Sequence, residues 1–507
     1  MSTPLTQRIA RNTAWFTAGS LLQKMISFVY FTVIAMAFGV TGTGRYFFAL
    51  TFTTLFAIVA DWGISPTLTR EFAKDRAVGS ALLPQAVVVK SAGACLAAML
   101  ALGVAQLAGY PAVTQYMIAV AVVAMVADSM HQGLYGILRG LQRVHYEAIG
   151  VVVGQLVLTM SGIVILLIVG GLRVATWSPM TLTLQRDVSP MLLLVPYVLT
   201  SITNIIAGVV GCVRERVAMP SLRVTRDRVV QLLRIATPFA ITAGLARIYT
   251  YSDTFLLSIL RDEVAVGYYS TPFKIAFAFQ FIPLAFMGAL YPAMSAVVVR
   301  DRAQVGALFV QAVRALFCIA IPIAAGIGIL AEQIIMAVYG TAFLPSVVPL
   351  IVLIGALPFI FANFPAGYLL NACDRQSWNT GLIAVATVIN TIANFILIPP
   401  WGATGAAIAA TGSSIALFCM NLVVLRRAVS YRSTAILDAG LRMGAAALAM
   451  MGTVYVLHAF ALPLRIGVGV LCYILALFMT RGVRGADLRA LRDAFRRGRP
   501  ETNLVTT

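Results

Sequence analysis

The chain has 507 residues, of which 60% are hydrophobic and 11% charged, and its mean hydropathy is +0.92. Soluble domains carry roughly 25% charged residues, so this supply cannot clothe an ordinary globular surface in water. Because one hydrocarbon crossing takes about 20 apolar residues, the chain reads as an all-α polytopic membrane protein, and its net charge of +19 must be tested against membrane sidedness before it suggests nucleic acid.

Apolar runs punctuated by charge, Pro or Gly predict fourteen spans, at about 12–38, 43–65, 84–108, 112–138, 148–170, 190–213, 235–259, 267–297, 305–330, 344–368, 378–399, 402–424, 438–458 and 462–480. The first run is longer than a signal-peptide core and lacks a small-residue cleavage pattern, so it is expected to remain as a membrane helix. Pro196, Pro238, Pro272, Pro283, Pro322, Pro358 and Pro365 fall within spans and are expected to bend or break them.

With the N-terminus in the cytoplasm, the inner loops collect Arg8, Arg11, Arg70, Lys74, Arg76, Arg139, Arg143, the run from Arg214 to Arg234, Arg300, Arg302, Arg375, Arg426, Arg427 and Arg432. The tail adds Arg481, Arg484, Arg489, Arg492, Arg496, Arg497 and Arg499, whereas the outer loops hold only Arg45, Arg173, Arg186, Arg261 and Arg465. This asymmetry places both termini inside. The positive charge is therefore mostly topology, and no nucleic-acid partner is expected. Trp15, Trp62, Trp177, Trp378 and Trp401 all fall near span ends, the level an amphipathic indole prefers.

The longest basic connector, RERVAMPSLRVTRDRVVQLLR, lies at the middle of the chain. Setting Arg11 against Arg234 gives an offset of 223 that also pairs Phe16 with Phe239, Leu22 with Leu245, Lys24 with Arg247, Gly44 with Gly267 and Tyr46 with Tyr269. A repeat beginning at spans 1 and 7 keeps its orientation, so the two copies would be parallel, related by a pseudo-two-fold along the membrane normal. The expected organisation is a six-helix N-terminal lobe at 1–213, a cytoplasmic connector at 214–234, a six-helix C-terminal lobe at 235–425, spans 13 and 14 at 426–480, and a basic cytoplasmic tail at 481–507.

Three histidines and six scattered cysteines leave little material for metal or thiol chemistry. No metal-ligand or nucleophile motif is present, nor is the loop that cradles phosphate in ATP-driven machines, so neither a metal nor a cofactor is expected. The informative residues are charges inside spans, each costing at least about 2.5–3.5 kcal/mol at a helix centre. Arg314 and Arg442 are close enough to a cytoplasmic end to snorkel. Lys90 and Asp128 reach a similar depth on spans 3 and 4, giving either a structural pair or a functional one. His131, one helical turn from Asp128, shares its polar site or serves as a structural hydrogen-bonding residue.

Lys24 and Arg247 lie deeper, near the midplane, and cannot snorkel easily. Either each is paired with a buried carboxylate, or both line a water-filled cavity that Lys274 could join. Asp253 is six residues from Arg247 and off its helical face, so it is not that arginine's in-helix partner. Cations at matched points of two bundles would suit an anionic group such as a phosphate or uronate. Asp61, Asp128 and Asp253 are the candidates for ion or proton coupling, with Asp61 close enough to a span end for a capping role instead.

Four segments stand out: ADWGISPTLTREFAKD after span 2, ILRGLQRVHYEAIG between spans 4 and 5, VGYYSTPFKIAFAF opening span 8, and NTIANFILIPPWGATGAAIAATGSS through spans 11 and 12. Together they resemble the bacterial polysaccharide transporters, the oligosaccharide flippases of the multidrug/oligosaccharidyl-lipid/polysaccharide exporter superfamily. The resemblance implies two six-helix lobes with alternating access in the bacterial inner membrane. It also implies translocation of an undecaprenyl-diphosphate-linked oligosaccharide for O-antigen, capsule or exopolysaccharide synthesis, in company with other polysaccharide assembly proteins. By span and depth, the cavity cations of the family fall on Lys24, Arg247 and Lys274. GSLLQKMISF around Lys24 lacks the arginine-aspartate pattern of the lipid II flippases, which puts a peptidoglycan precursor second, and the basic midplane set puts a multidrug exporter third. A polytopic polymerase or ligase would need a large outer loop with catalytic groups, but the largest here, about 171–189, offers only Arg173, Arg186 and Asp187, so no enzyme activity is expected.

The sidedness yields a first prediction. Single cysteines at Arg226 and Trp177 should react with an impermeant thiol reagent from opposite faces of the membrane, and labelling of both from the outside would refute the assigned topology.

Overall fold

The computed structural model describes residues 5–177, 180–186, 188–217, 224–300 and 302–480. The expected tail at 481–507, residues 218–223 of the connector and Asp187 lie outside the described residues.

The helices are α1 (Leu5–Asp61), α2 (Ile64–Lys74), α3 (Arg76–Leu107), α4 (Ala112–Gly140), α5 (Val144–Ile168), α6 (Val195–Arg214), α7 (Arg226–Leu260) and α8 (Glu263–Ala278). They continue as α9 (Phe281–Arg300), α10 (Arg302–Ile329), α11 (Ala331–Tyr339), α12 (Val347–Gly355), α13 (Leu357–Ala372), α14 (Gln376–Leu425), α15 (Ser433–Val456) and α16 (Leu462–Met479). Among the described residues, twelve helical segments are long and apolar enough to cross a membrane. Two of these, α1 and α14, are interrupted at Gly39 (φ 62°) and Gly402 (φ 52°), so each supplies two crossings and the fourteen expected spans are all present. The chain is a multi-pass helical membrane protein.

The breaks fall at glycines because the left-handed conformation they adopt is costly with a Cβ. The prolines divide. The expected break near Pro283 is present, since α8 ends at Ala278 and α9 starts at Phe281. Pro238, Pro272, Pro322 and Pro365 lie within helices that do not break, while Pro196 and Pro358 open α6 and α13, where a missing N–H is harmless. A hairpin of β1 (Arg173–Trp177) and β2 (Met180–Thr183) occupies the α5–α6 loop, a small addition to an otherwise helical chain.

Contacts divide the chain into one unit of residues up to Ser270 together with Ala337–Phe343, and a second of Thr271–Met336 and residues from Leu344 onward. This boundary is not at the 214–234 connector, because α7 packs on α1, α2 and α3 of the first unit. Gly63 (φ 70°) is the closest point of that packing. A Cβ there would collide with the backbone of Ala236 and Ala240.

In the first unit α5 lies against α4, α6 and α1 through small residues. Gly154 faces Asn204 and Thr200, Gly150 and Gly162 leave room for the hydroxyls of Tyr135 and Tyr30, and Gly208 and Gly211 on α6 meet Leu134 and Leu138. Lipid offers helices no hydrophobic drive to associate, so close approach through small residues and interhelical hydrogen bonds has to supply it. Tyr135 Oη donates to Asn204 Oδ1 at 2.7 Å as one such bond. The second unit has a core of Met287, Leu290, Phe309, Val313, Leu369, Phe418, Met443 and Met450, in which α10 is the central helix, packed on α13 and α15.

The offset of 223 has a structural counterpart inside the first unit. A Cβ on Gly44 would strike the carbonyl oxygen of Glu263, and a Cβ on Gly267 would strike that of Val40. Glu263 is the 223-shifted partner of Val40, and Gly267 that of Gly44, so the contact is reciprocal, as a two-fold requires. The α1 break at Gly39 likewise corresponds to the α7–α8 corner at Asp262. The corner after span 1 and the corner after span 7 are therefore locally related copies pressed together at their glycines.

A Cβ at either glycine faces backbone, which cannot rotate away. Gly44→Ala and Gly267→Ala should each destabilise by about 1–3 kcal/mol through overpacking, read as an earlier melt of the purified protein. Gly103→Ala, with open space around it, should melt no earlier than wild type; equal melting of all three would contradict the reciprocal contact.

Candidate functional site

The charged groups of the first unit gather where α1 ends. Asp61 is its last residue, and Trp62 (φ 42°) and Gly63 (φ 70°) break the helix and lead into α2. Ser65 Oγ donates back to Asp61 Oδ1 at 2.5 Å. Lys90, buried on α3, places Nζ on the same carboxylate oxygen and 3.2 Å from Ser65 Oγ. Arg247 on α7 donates from Nη1 to the carbonyl of Thr54 at 3.4 Å and contributes to the field at Lys90. This group thus holds two cations and one anion.

The sequence of α4 explains why the group fits. Gly133, Gly136 and Gly140 lie on one face and meet, in turn, the Lys90 side chain, the Ser65 carbonyl and Phe72 with Thr69. Thr69 Oγ1 donates to Gly136 O at 2.9 Å, and Ser129 Oγ donates to Ala60 O at 2.9 Å, tying α4 to α2 and to the end of α1. The Lys90 ammonium is in this way aimed at Asp61.

The expected Lys90–Asp128 pair is corrected by this arrangement. Both residues reach the anticipated depth, but on α4 the side facing α1 is occupied by Ser129, and its neighbour Asp128 turns about 100° away toward α6. There Asp128 accepts from Ser201 Oγ at 2.5 Å, with His131 Nδ1 at 3.4 Å. Asp128 keeps 43% of its side chain accessible. Asp253 is buried and accepts from Tyr269 Oη at 3.0 Å, which ties α7 to α8. The three acids are thus in different settings: Asp61 ion-paired, Asp253 enclosed, Asp128 open beside a histidine.

Lys24 stands apart from the Asp61 group, half-buried on α1 with no charged neighbour among the described residues. Fifteen residues separate Lys24 from the Gly39 break, and fifteen separate Arg247 from Asp262. At 1.5 Å per residue both lie about 22 Å from these corners, past the middle of an about 30 Å hydrocarbon layer and not at the midplane expected from the sequence. Lys274 is half-buried in the second unit, where it has interactions of its own. Arg442 reaches Asp438 Oδ1 at 2.7 Å and Thr480 O at 2.9 Å, the end-seeking geometry expected of a shallow arginine.

Sequence reading missed three groups. Arg139, which the sequence reading counts as a loop charge, is bidentate with Glu147, with Nε to Oε2 at 2.7 Å. Their spacing across the α4–α5 turn was the available signal. Tyr46 Oη donates to Tyr197 Oη at 3.1 Å within the buried α1–α6 contact. Arg45 meets Glu263 at 2.5 Å at the outer corner.

With the geometry in place, the comparisons can be set beside it. The family model described as "Polysaccharide biosynthesis protein" matches residues 9–298. A probable low-salt glycan biosynthesis flippase of Haloferax volcanii is 24% identical over 177 residues, covering 35% of this chain and 37% of that protein. The chain thus matches little more than a third of that relative's length. Among solved structures, the lipid II flippase MurJ in an inward closed conformation superposes with a TM-score of 0.75 at 15% identity, covering 94% of this chain and 99% of that one. An inward-facing multidrug resistance transporter of the MATE family, in the MOP superfamily, gives a TM-score of 0.62 at 12% identity, covering 86% of this chain and 97% of that one. These likenesses show the fold, and the family match over more than half the chain shows the membership: the chain belongs to the polysaccharide biosynthesis protein family.

Proposed function

We propose that the chain is a flippase that moves an undecaprenyl-diphosphate-linked oligosaccharide across the bacterial inner membrane for surface polysaccharide synthesis, by alternating access and without chemical change to the substrate. Both termini lie in the cytoplasm in this reading. The observation that carries it is the setting of the deep cations of the first unit: Asp61 is held by Lys90, Arg247 donates to the carbonyl of Thr54, and Lys24 has no charged neighbour among the described residues. A diphosphate leaving water needs charged donors to replace its hydration, and the polyprenyl tail can remain in lipid.

Roles follow from setting. Lys24 and Arg247 bind the diphosphate, and Lys274 keeps the substrate-binding role that the resemblance implies for it. Lys90 and Asp61 hold α3 to the end of α1. Of the coupling candidates, Asp128 fits best, because its carboxylate is accessible and next to His131, whereas Asp253 is enclosed. Family membership supports a glycan substrate. The likeness to MurJ favours lipid II as the second reading, and supplying both lipids to reconstituted protein separates the two by rate. The deep cations Lys24 and Arg247 disfavour an exporter of organic cations.

Lys24→Ala and Arg247→Ala should each reduce translocation at least tenfold while leaving melting near wild type. Lys90→Ala should lower stability by about 3–5 kcal/mol, the cost of stranding a buried partner charge. Full transport by the Lys24→Ala, Arg247→Ala double variant refutes the proposed site.

An inside-negative potential favours outward movement of net negative charge by about 2.3 kcal/mol per charge per 100 mV. Collapsing it with valinomycin and potassium at a constant pH gradient should slow transport. An unchanged rate would favour proton or sodium coupling instead.

A further inference from the structure

The corners on the side assigned to the exterior line an open cavity, away from the intramembrane cations. The segments at 41–45, 108–111 and 258–264 surround about 570 Å³, within the range of roughly 300–1,000 Å³ typical of small-ligand sites. The sidedness rule leaves few basic residues on this face. Two of the five outer cations, Arg45 and Arg261, nevertheless line this one cavity.

The wall is fixed in place. Arg45 is held by Glu263, whose other oxygen is bonded to Thr114. Tyr110 packs on Phe48 with ring centroids 5.0 Å apart, and its hydroxyl lies 3.1 Å from Ser258 Oγ. Burial pushes the Tyr110 phenol above its ordinary range, with the Ser258 hydrogen bond working against it and the Glu263 charge adding to it, which keeps the ring neutral. Asp262 accepts from the backbone N–H of Ala265 at 2.7 Å and so caps α8.

Two arginines and two carboxylates balance one another, so the cavity offers no net attraction to a polyanion. What it offers is planar donors and acceptors, set in fixed directions around the apolar surfaces of Tyr110, Ile259 and Val264. Vicinal hydroxyls of a pyranose take bidentate hydrogen bonds from such groups, and the C–H face of the ring needs an apolar or aromatic surface. We propose that this cavity is an outer-face saccharide subsite, which receives sugar rings of the oligosaccharide as they emerge. The assignment of sugar as its ligand rests on the flippase reading.

The test uses the full chain in detergent, fluorescently labelled, on an array of lipid-free repeat-unit oligosaccharides from bacterial O-antigens, capsules and exopolysaccharides. Arg261→Ala removes an exposed donor, and Ile259→Trp fills the cavity from an exposed position. Wild type should be retained by a subset of glycans, and both variants should lose retention at least tenfold with unchanged melting. No retention of wild type by any glycan, or undiminished retention of both variants, overturns the subsite. Translocation of labelled lipid-linked oligosaccharide in vesicles is measured alongside. If translocation is absent while the binding pattern holds, the flippase reading falls and the subsite stands; if translocation is present without glycan retention, only the subsite falls.

Discussion

A charge inside hydrocarbon costs several kcal/mol unless another charge, a hydrogen bond or water receives it. The arrangement of the first unit follows from the ways it meets that cost. Lys90 is answered by Asp61 and Ser65, and the answer requires α3, α4 and the end of α1 to approach closely. The glycines at 133, 136 and 140 permit that approach. Arg139 is answered by Glu147 across the α4–α5 turn. Lys24 receives neither charge nor hydrogen bond from the described residues, the setting on which its proposed substrate role rests.

The same unit is organised around a repeated corner. Gly44 and Gly267 press on one another's neighbouring carbonyls, and Lys24 and Arg247 stand at equal distances before their corners. Equal spacing places the two cations at a common distance from their corners. The copies have since diverged in detail. Tyr46 bonds to Tyr197, whereas its counterpart Tyr269 bonds to Asp253, so the equivalent positions hold the corner by different chemistry.

Much of the fold was legible because crossing lengths and loop charges obey the bilayer, and run lengths in the sequence report both. All fourteen crossings, the broken pairs at Gly39 and Gly402 included, fall where apolar runs placed them. Side-chain partners were less legible. Counting residues gives depth, which put Lys90 level with Asp128, but the direction of a side chain around α4 is set by which neighbour packs on each face, and Ser129 took the side toward Ala60. Proline was expected to bend or break spans, and one break does fall just before Pro283, but α7, α10 and α13 run unbroken through theirs. The grouping of α7 with the first unit depends on Gly63 contacting Ala236 and Ala240, a tertiary fact with no local signal beyond the glycine itself.

The central claim is that Lys24 lies in a membrane-spanning helix yet faces water. Its most direct measurement is the reactivity of single cysteines in an otherwise cysteine-free protein in sealed inside-out vesicles, using a small charged methanethiosulfonate. A cysteine replacing Lys24 should react at a rate near that of an exposed connector position, while one replacing the enclosed Asp253 should not react. An inert position 24 in folded protein would contradict the account.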